Sequence, residues 1–241
     1  MKSLLIVVML TVCAAALEDL TGKMLSFPQE TKTDHVKLFT TKDEFKAITV
    51  CLRSFTDLSR NHGLFSLATP SFANGFLIFK KGASDQVELN VRNKGTTVYG
   101  QEYMLNTWQS VCASWDGKTG LEQDSHGGGF DLQQAFIGMI ADVHMWDFIL
   151  SPCEIQRFVD DLNFSPGNVI NWRALQYEIS SMYPKDVQYI PWQGSGVLPE
   201  CRVMPAYGLV LRISTCAKTL KGTRHPQVKL GHSPQSLELD E

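Results

Sequence analysis

Residues 122–134 bring oxygen-bearing side chains together around three consecutive glycines. The segment reads Glu-Gln-Asp-Ser-His-Gly-Gly-Gly-Phe-Asp-Leu-Gln-Gln and carries three carboxylates and three amides. Calcium takes about six to eight oxygen ligands from carboxylates, amides and backbone carbonyls. Glycines allow the tight backbone turns that wrapping an ion requires. The segment therefore favours a calcium-binding loop, and a polar hairpin loop without a metal is the alternative.

Residues 1–16 have the pattern of a secretory signal peptide. Lys2 precedes an apolar run, and Ala14-x-Ala16 provides a small-residue cleavage site. The run is too short to span a membrane. Cleavage after Ala16 leaves 21 basic and 25 acidic residues, a net charge of −4. We therefore expect a secreted, extracellular protein without a membrane span, and the weak acidity argues against nucleic acid as a partner.

Five cysteines remain after the signal peptide, namely Cys51, Cys112, Cys153, Cys201 and Cys216. Because five is odd, at least one thiol is unpaired within the chain or bonds another chain. Secretion permits disulfides. No cysteine pair or Cys/His cluster has the spacing of a structural zinc site.

Three segments of the first half are predicted to be β-strands. Residues 47–52 are rich in β-branched and apolar side chains, residues 76–79 form a short apolar run, and residues 86–91 alternate apolar and polar. Several short strands at regular spacing favour an all-β sandwich or jelly roll.

One helix is predicted over about 152–162. Ser151 at the N-cap and Glu154 at N3 form a capping box, and Pro152 at N1 is a second helix-start signal. Apolar residues recur at helical spacing up to Leu162. The expected role of the helix is to cover one face of the sheet, and Cys153 in its first turn is expected to be a buried thiol.

Residues 193–241 differ in composition from the rest of the chain. They carry six basic and four acidic residues and are rich in Gly, Pro, Ser and Thr. Only 208–213 is strand-like. This tail is predicted to be mostly disordered or loosely attached.

The order of several short sequence blocks resembles the pentraxin family. The core of the family signature survives as Cys112-Ala-Ser-Trp115, although Ser110 and Gly117 replace two signature residues. The other matching blocks are Ala-Ile-Thr-Val-Cys-Leu at 47–52, Glu-Gln-Asp-Ser at 122–125, Met-Trp-Asp-Phe at 145–148, Leu-Ser-Pro at 150–152, Phe-Ser-Pro at 164–166 and Asn-Trp-Arg-Ala-Leu at 171–175. The resemblance covers roughly residues 17–192.

The resemblance implies a two-sheet antiparallel jelly roll, a lectin-like sandwich with one short helix on one face. It also implies a Cys51–Cys112 disulfide and a homo-oligomeric ring, commonly a pentamer. A secreted pattern-recognition role in innate immunity and the acute-phase response follows from the same resemblance, with complement components as further partners.

The resemblance also implies two calcium ions per chain. Their ligands would be Asn74, Glu122, Gln123 (through its backbone carbonyl), Asp124, Asp131 and Gln134. Ala73 stands where the family usually has Asp, and Asp131 stands where Glu is usual. Both changes should weaken calcium binding, because affinity depends on ligand charge and fit. Asn74 before Gly75 could instead form a turn.

Pentraxin ligands bridge the calcium ions through phosphate or carboxylate oxygens. Phosphocholine, phosphoethanolamine and certain anionic saccharides are the implied ligands. Phe79 matches the aromatic that packs on choline methyl groups, with Leu77 beside it, and a ring face attracts a quaternary ammonium. Phe79 could instead be a core residue. The family's choline-pairing acid has no clear counterpart, since its region aligns near Thr96 and Thr97.

One segment departs from the family by length. Only six residues, 116–121, join Trp115 to the predicted calcium loop, where the family has about thirty more, enough for two to three strands. Such a loss would open the sheet and expose backbone edges and core side chains.

Two other functions compete with recognition. A secreted jelly-roll glycosidase would use Glu122 and Asp124 and would need a third, correctly placed carboxylate as acid/base. Positions 126 and 127 are His and Gly, which do not supply it. A non-binding, partly folded splice or gene-model variant is the other alternative. We predict that the protein is not an enzyme.

Overall fold

The structure is a computed structural model that describes residues 17–40, 42, 44–69, 72–82 (without the side chain at 73), 85–101, 103–118 and 132–180. It also describes the backbone at 204–205 and 212–217. The predicted signal peptide, most of the predicted calcium loop and most of the tail lie outside the described residues.

Thirteen strands, one α-helix and one 3₁₀ helix lie within this part of the chain. The strands are β1 (Leu25–Phe27), β2 (His35–Leu38), β3 (Ile48–Phe55), β4 (His62–Thr69), β5 (Phe72–Lys80), β6 (Val87–Val91), β7 (Lys94–Val98), β8 (Gln109–Trp115), β9 (Gly138–Trp146), β10 (Ile170–Asn171), β11 (Tyr177–Ser180), β12 (Met204–Pro205) and β13 (Arg212–Ala217). The helix α1 spans Pro152–Val159, and the 3₁₀ helix spans Leu132–Gln134.

The strands form three antiparallel sheets. The largest has the order β1-β9-β3-β8-β13-β12, with β10 also paired to β9. A four-stranded sheet has the order β4-β5-β6-β7, and β2 pairs with β11. Side chains of both larger sheets share one apolar core, which includes Val50 and Leu52 of β3 with Phe76 and Ile78 of β5. The predicted all-β sandwich is therefore confirmed.

Strands β3 and β8 are buried almost throughout, because both faces of their sheet are covered. Val50 and Val111 face the sandwich core, whereas Cys51 and Cys112 belong to a second apolar cluster. That cluster includes Ile155 and other buried residues of α1. The helix thus covers the outer face, as predicted, and a continuous apolar run such as 47–52 is typical of a strand that is buried on both faces.

Helix α1 begins where the sequence predicts and ends earlier. The Ser151 hydroxyl accepts from the Glu154 N–H (3.3 Å), and the Glu154 carboxylate accepts from the Ser151 N–H (2.9 Å). The last helical residue is Val159 rather than 162. Asp161 has a positive φ of 59°, which breaks the helical path. The helix therefore ends three residues before the predicted end at 162.

The contact that holds this helix end is the side chain of Arg53. Its guanidinium is 1% exposed and lies 4.9 Å from the centre of the Phe158 ring. Nη2 donates to the Phe158 carbonyl (2.7 Å) and Nη1 to the Val159 carbonyl (3.4 Å). Nε donates to Asp142 (2.8 Å), and Nη2 also donates to Asp161 (3.1 Å). A cation that binds the last carbonyls of a helix satisfies them and favours the helix dipole.

The structure confirms one expectation about the cysteines and corrects another. Cys51 and Cys112 occupy opposed positions on β3 and β8 and form the expected disulfide. Cys153 is a free thiol and is exposed, so the expectation of burial was wrong. The buried face of α1 consists of Ile155, Phe158 and Val159. Position 153 does not lie on that face.

Part of the tail is a strand of the main sheet. Strand β13 pairs with β8 from Arg212 opposite Ser114 to Ala217 opposite Gln109. The prediction of a loosely attached tail is therefore wrong for 212–217, and the strand-like run at 208–213 overlaps the observed strand in two residues. An unpaired edge of β8 would present free N–H and C=O groups, and this pairing satisfies them where the sequence predicts an open edge.

Candidate ligand-binding site

The four-stranded sheet presents the two predicted ligand-contacting side chains on its outer face. Phe79 pairs across to Glu88, and Leu77 pairs across to Asn90. Cross-strand partners lie on the same face of an antiparallel sheet. The opposite face carries the core residues, including Ile78. Phe79 belongs to neither apolar core cluster although only 8% of it is exposed, so other side chains on the outer face cover it.

Asn74 lies in β5 beside the turn between β6 and β7. Its N–H donates to Oδ1 of Asn93 (2.9 Å), and its carbonyl accepts from the Asn93 N–H (3.0 Å). Arg92 and Asn93 have φ values of 49° and 63°, as a type I′ hairpin turn requires. The turn fixes the Asn74 backbone, while the Asn74 side chain makes no hydrogen bond to another described residue. Its amide oxygen can therefore serve a ligand.

Gln134 is the last residue of the 3₁₀ helix at the end of the predicted calcium loop, and it is exposed. The neighbouring Gln133 carbonyl accepts from Arg60 Nη1 (2.9 Å). Arg60 also pairs with Glu30 (2.9 Å). The Arg60–Gln133 contact attaches the end of the predicted calcium loop to the segment before β4. The first residue of β4, His62, pairs with Lys80, at the far end of β5 from Asn74.

Asn74 and Gln134 are the two predicted calcium ligands within the described residues. Glu122, Gln123, Asp124 and Asp131 lie outside them, so their placement stays a prediction. In the described part of the chain no group of three or more His, Cys, Asp or Glu side chains could hold a metal. The donor set as a whole consists of carboxylate and amide oxygens, which fits calcium and does not fit zinc.

A charged pair covers Phe79, and the sequence alone did not predict it. The Lys81 ammonium lies over the Phe79 ring, 5.4 Å from its centre. Lys81 also forms a short ion pair with the Glu88 carboxylate, which accepts from the Asn90 amide (2.8 Å). Burial raises the pKa of Glu88, but the hydrogen bonds from Lys81 and Asn90 outweigh it and leave this pKa below its usual value. The carboxylate is therefore ionised at neutral pH.

Gly95 of β7 makes room for this carboxylate. A Cβ at Gly95 would lie 2.6 Å from Oε1 of Glu88 and 2.9 Å from Oδ1 of Asn90. Such distances are well below normal contact, so any larger side chain at 95 would displace both groups. The hairpin register, Glu88 opposite Phe79 and Asn90 opposite Gly95, is the signal that could have revealed this group from the sequence.

A cavity of about 540 Å³ lies among the described residues beside Trp115, the last strand residue before the shortened connection. Leu67, Phe72 and Arg92 contribute to its lining. The Arg92 guanidinium is 4.8 Å from the Trp115 ring centre. The shortened connection predicts exposed core side chains here, but Trp115 and Ile48 are each only 2% exposed. The cavity is distinct from the outer face around Phe79.

The fold and the site define a class of protein: a lectin-like β-sandwich with candidate ligand residues on the outer face of one sheet. The Pentaxin family model matches residues 23–122 and 118–184. The chain belongs to the pentraxin family.

Known pentraxins are similar over most of their length. Serum amyloid P-component of Mesocricetus auratus is 35% identical over 199 residues, which covers 69% of this chain and 84% of that protein. C-reactive protein of Xenopus laevis is 36% identical over 199 residues, covering 68% and 82%. The crystal structure of native heptameric SAP-like pentraxin from Limulus polyphemus matches with a TM-score of 0.58 and 24% identity. It covers 67% of this chain and 93% of that chain and supports the fold.

The alignment lengths are consistent with the shortened connection. A share of 69% of 241 residues is about 166 residues, whereas the alignment has 199 positions, so about 33 positions have no counterpart in this chain. The two segments matched by the family model meet at 118–122. Within the described residues no helix is long and apolar enough to cross a membrane.

Proposed function

We propose that this pentraxin is a secreted, calcium-dependent pattern-recognition protein of innate immunity that binds phosphorylated or anionic surface groups. Phosphocholine, phosphoethanolamine and anionic saccharides are the ligand classes. The family assignment supports a recognition role and a non-enzymatic protein. The observation that carries the proposal is strand β5, which holds Asn74, Leu77 and Phe79 and has Leu77 and Phe79 on its outer face.

In this proposal the chain's residues hold the ion and orient the ligand. Asn74 and Gln134 would supply amide oxygens, and Glu122, Asp124 and Asp131 would supply charge, with Gln123 contributing its backbone carbonyl. Bound calcium would attract phosphate or carboxylate oxygens of the ligand. The apolar surface of Leu77 and Phe79 would contact the rest of the ligand.

We also propose that the protein works as a homo-oligomer. The similar structure from Limulus polyphemus is described as heptameric, and the first expectation from the sequence was a pentamer. Native mass spectrometry of the secreted protein would count the subunits. A protein that is monomeric at micromolar concentration would contradict this part.

The test of the proposed function is thermal unfolding of the secreted protein with calcium and with EDTA, repeated with a phosphate ligand. A ligand present at 100 times its Kd stabilises the folded state by about 2.7 kcal/mol. For a chain of this size that raises Tm by roughly 5–10 °C. E122Q/D124N should abolish the calcium effect, whereas D57N, at an exposed position outside the site, should keep it.

The same experiment separates the alternative. A chain that lacks a cooperative transition, or that unfolds at the same temperature with calcium and with EDTA, would be the non-binding, partly folded variant. A calcium effect that survives E122Q/D124N would place the ion elsewhere.

A further inference from the structure

The surface that would receive a quaternary ammonium already holds an ammonium of the chain itself. Lys81 lies 5.4 Å from the centre of the Phe79 ring, within the distance of about 6 Å at which a cation is attracted to a ring face. Phe79 is 8% exposed. A ligand ammonium can reach this ring only after the Lys81 side chain has left it.

The carboxylate that could pair with a ligand ammonium is also engaged. Glu88 lies opposite Phe79 and is the carboxylate that the described residues place beside the ring. Lys81 forms its ion pair, and Asn90 donates a second hydrogen bond (2.8 Å). The side chains of Lys81 and Glu88 are 33% and 20% exposed, so the pair is partly shielded from water. Incomplete screening strengthens both the pair and the repulsion of a second cation.

We propose that Lys81 is a specificity-determining residue, which fills the ammonium position of the site and directs it to phosphate-bearing ligands without a quaternary ammonium. This inference rests on the proposed function and narrows its ligand class. In this proposal Lys81 is a ligand neither of the calcium ions nor of the phosphate. The trimethylammonium of phosphocholine would meet a like charge where it needs an aromatic face and a carboxylate.

The test compares two ligands of the same shape. 3,3-Dimethylbutyl phosphate has a neutral carbon in place of the cationic nitrogen of phosphocholine. The ratio of their Kd values therefore reports the contribution of the positive charge to binding. Titration calorimetry with calcium on the full secreted protein measures both. The wild type should bind the two within twofold, or phosphocholine more weakly.

Variant K81M removes the ammonium and keeps most of the apolar stem. Phosphocholine should then bind about tenfold tighter than 3,3-dimethylbutyl phosphate, which is within the range for a cation on an aromatic face. K81M/E88Q should lose most of that gain, and K81R should behave as the wild type. K94M, which removes an exposed charge from the neighbouring strand, is the matched control and should leave the ratio unchanged.

The outcomes separate this inference from the function on which it rests. Binding of both ligands with a ratio that K81M does not change, or a tenfold preference for phosphocholine in the wild type, would overturn the role of Lys81 alone. No binding of either ligand to any of these proteins would overturn the proposed function and this inference with it.

Discussion

Replacement of Arg53 by methionine should be among the most destabilising single changes in this protein. Arg53 is the buried cation that joins β3 to the end of α1. It donates hydrogen bonds to two carboxylates, to two helix carbonyls and to the Ser110 hydroxyl (3.0 Å). Methionine fills a similar volume and removes these five hydrogen bonds. The variant R53M therefore tests the charge and the hydrogen bonds rather than the packing.

The size of the effect follows from the partners that remain. Removing one member of a buried ion pair costs about 3–5 kcal/mol, because the other charge is left without compensation. Asp142 and Asp161 keep 30% and 36% of their side-chain surface in water, which lowers this cost. The freed carbonyls of Phe158 and Val159 lose their donors. We expect a loss of about 3 kcal/mol.

The assay is urea unfolding followed by tryptophan fluorescence at pH 7. R157M is the matched control, because Arg157 lies on the exposed side of the same helix and should cost below about 1 kcal/mol. R53M/D142N should recover about 1 kcal/mol relative to R53M, since the uncompensated carboxylate is gone.

The pH dependence gives a second check on the same reasoning. Burial raises the pKa of Asp142, and Arg53 opposes that rise. A raised pKa in the folded state means that the folded protein binds the proton more tightly, so protonation of Asp142 favours folding as the pH falls. Without Arg53 this pKa should rise further, and the cost of R53M should shrink between pH 7 and pH 4. A cost equal to that of R157M, or a cost that grows as the pH falls, would refute this account.

Three further predictions concern other parts of the molecule. The variant C51A/C112A lacks the disulfide, whose cysteines are 61 residues apart in sequence. Its free energy of unfolding in urea should be about 4 kcal/mol lower than that of the wild type, which is the loop-closure value. A variant as stable as the wild type would contradict this prediction. Deletion of residues 193–241 removes β13 and exposes the edge of β8. Light scattering should therefore show aggregation. A truncated protein that stays dispersed and keeps the Tm of the full chain would mean that the tail is loosely attached. Burial lowers the pKa of His62 to about 4 and of His144 to about 3; the unfolded chain therefore binds protons first, and stability should fall below about pH 6.5, by up to about 1.4 kcal/mol per pH unit for each histidine. Urea midpoints between pH 7 and pH 4.5 measure this fall, and a flat profile would contradict it.

Local patterns in the sequence identified elements and their starts. The alternation at 86–91 and the apolar run at 47–52 correspond to β6 and β3, since side-chain period reports which faces are buried. The capping box at Ser151 fixed the first turn of α1, because its partners are three residues apart. The resemblance added the Cys51–Cys112 pairing, which periodicity cannot supply.

Contacts between distant residues decided what the local patterns could not. The family resemblance predicts that Phe79 contacts a ligand. The positions of Lys81 and Glu88 over this ring depend on the cross-strand register of a hairpin. Sequence spacing around Phe79 does not state which charged side chain will reach the ring.

The sequence by itself determined the fold class, the helix start and the family of this protein, because each depends on residue type and short-range spacing. Only the tertiary structure decided where α1 ends, how β8 is covered and what lies over Phe79. Arg53 is about a hundred residues from the carbonyls it binds, and β13 is about a hundred residues from β8. Such contacts form when folding places distant segments side by side, so a local sequence pattern does not predict them.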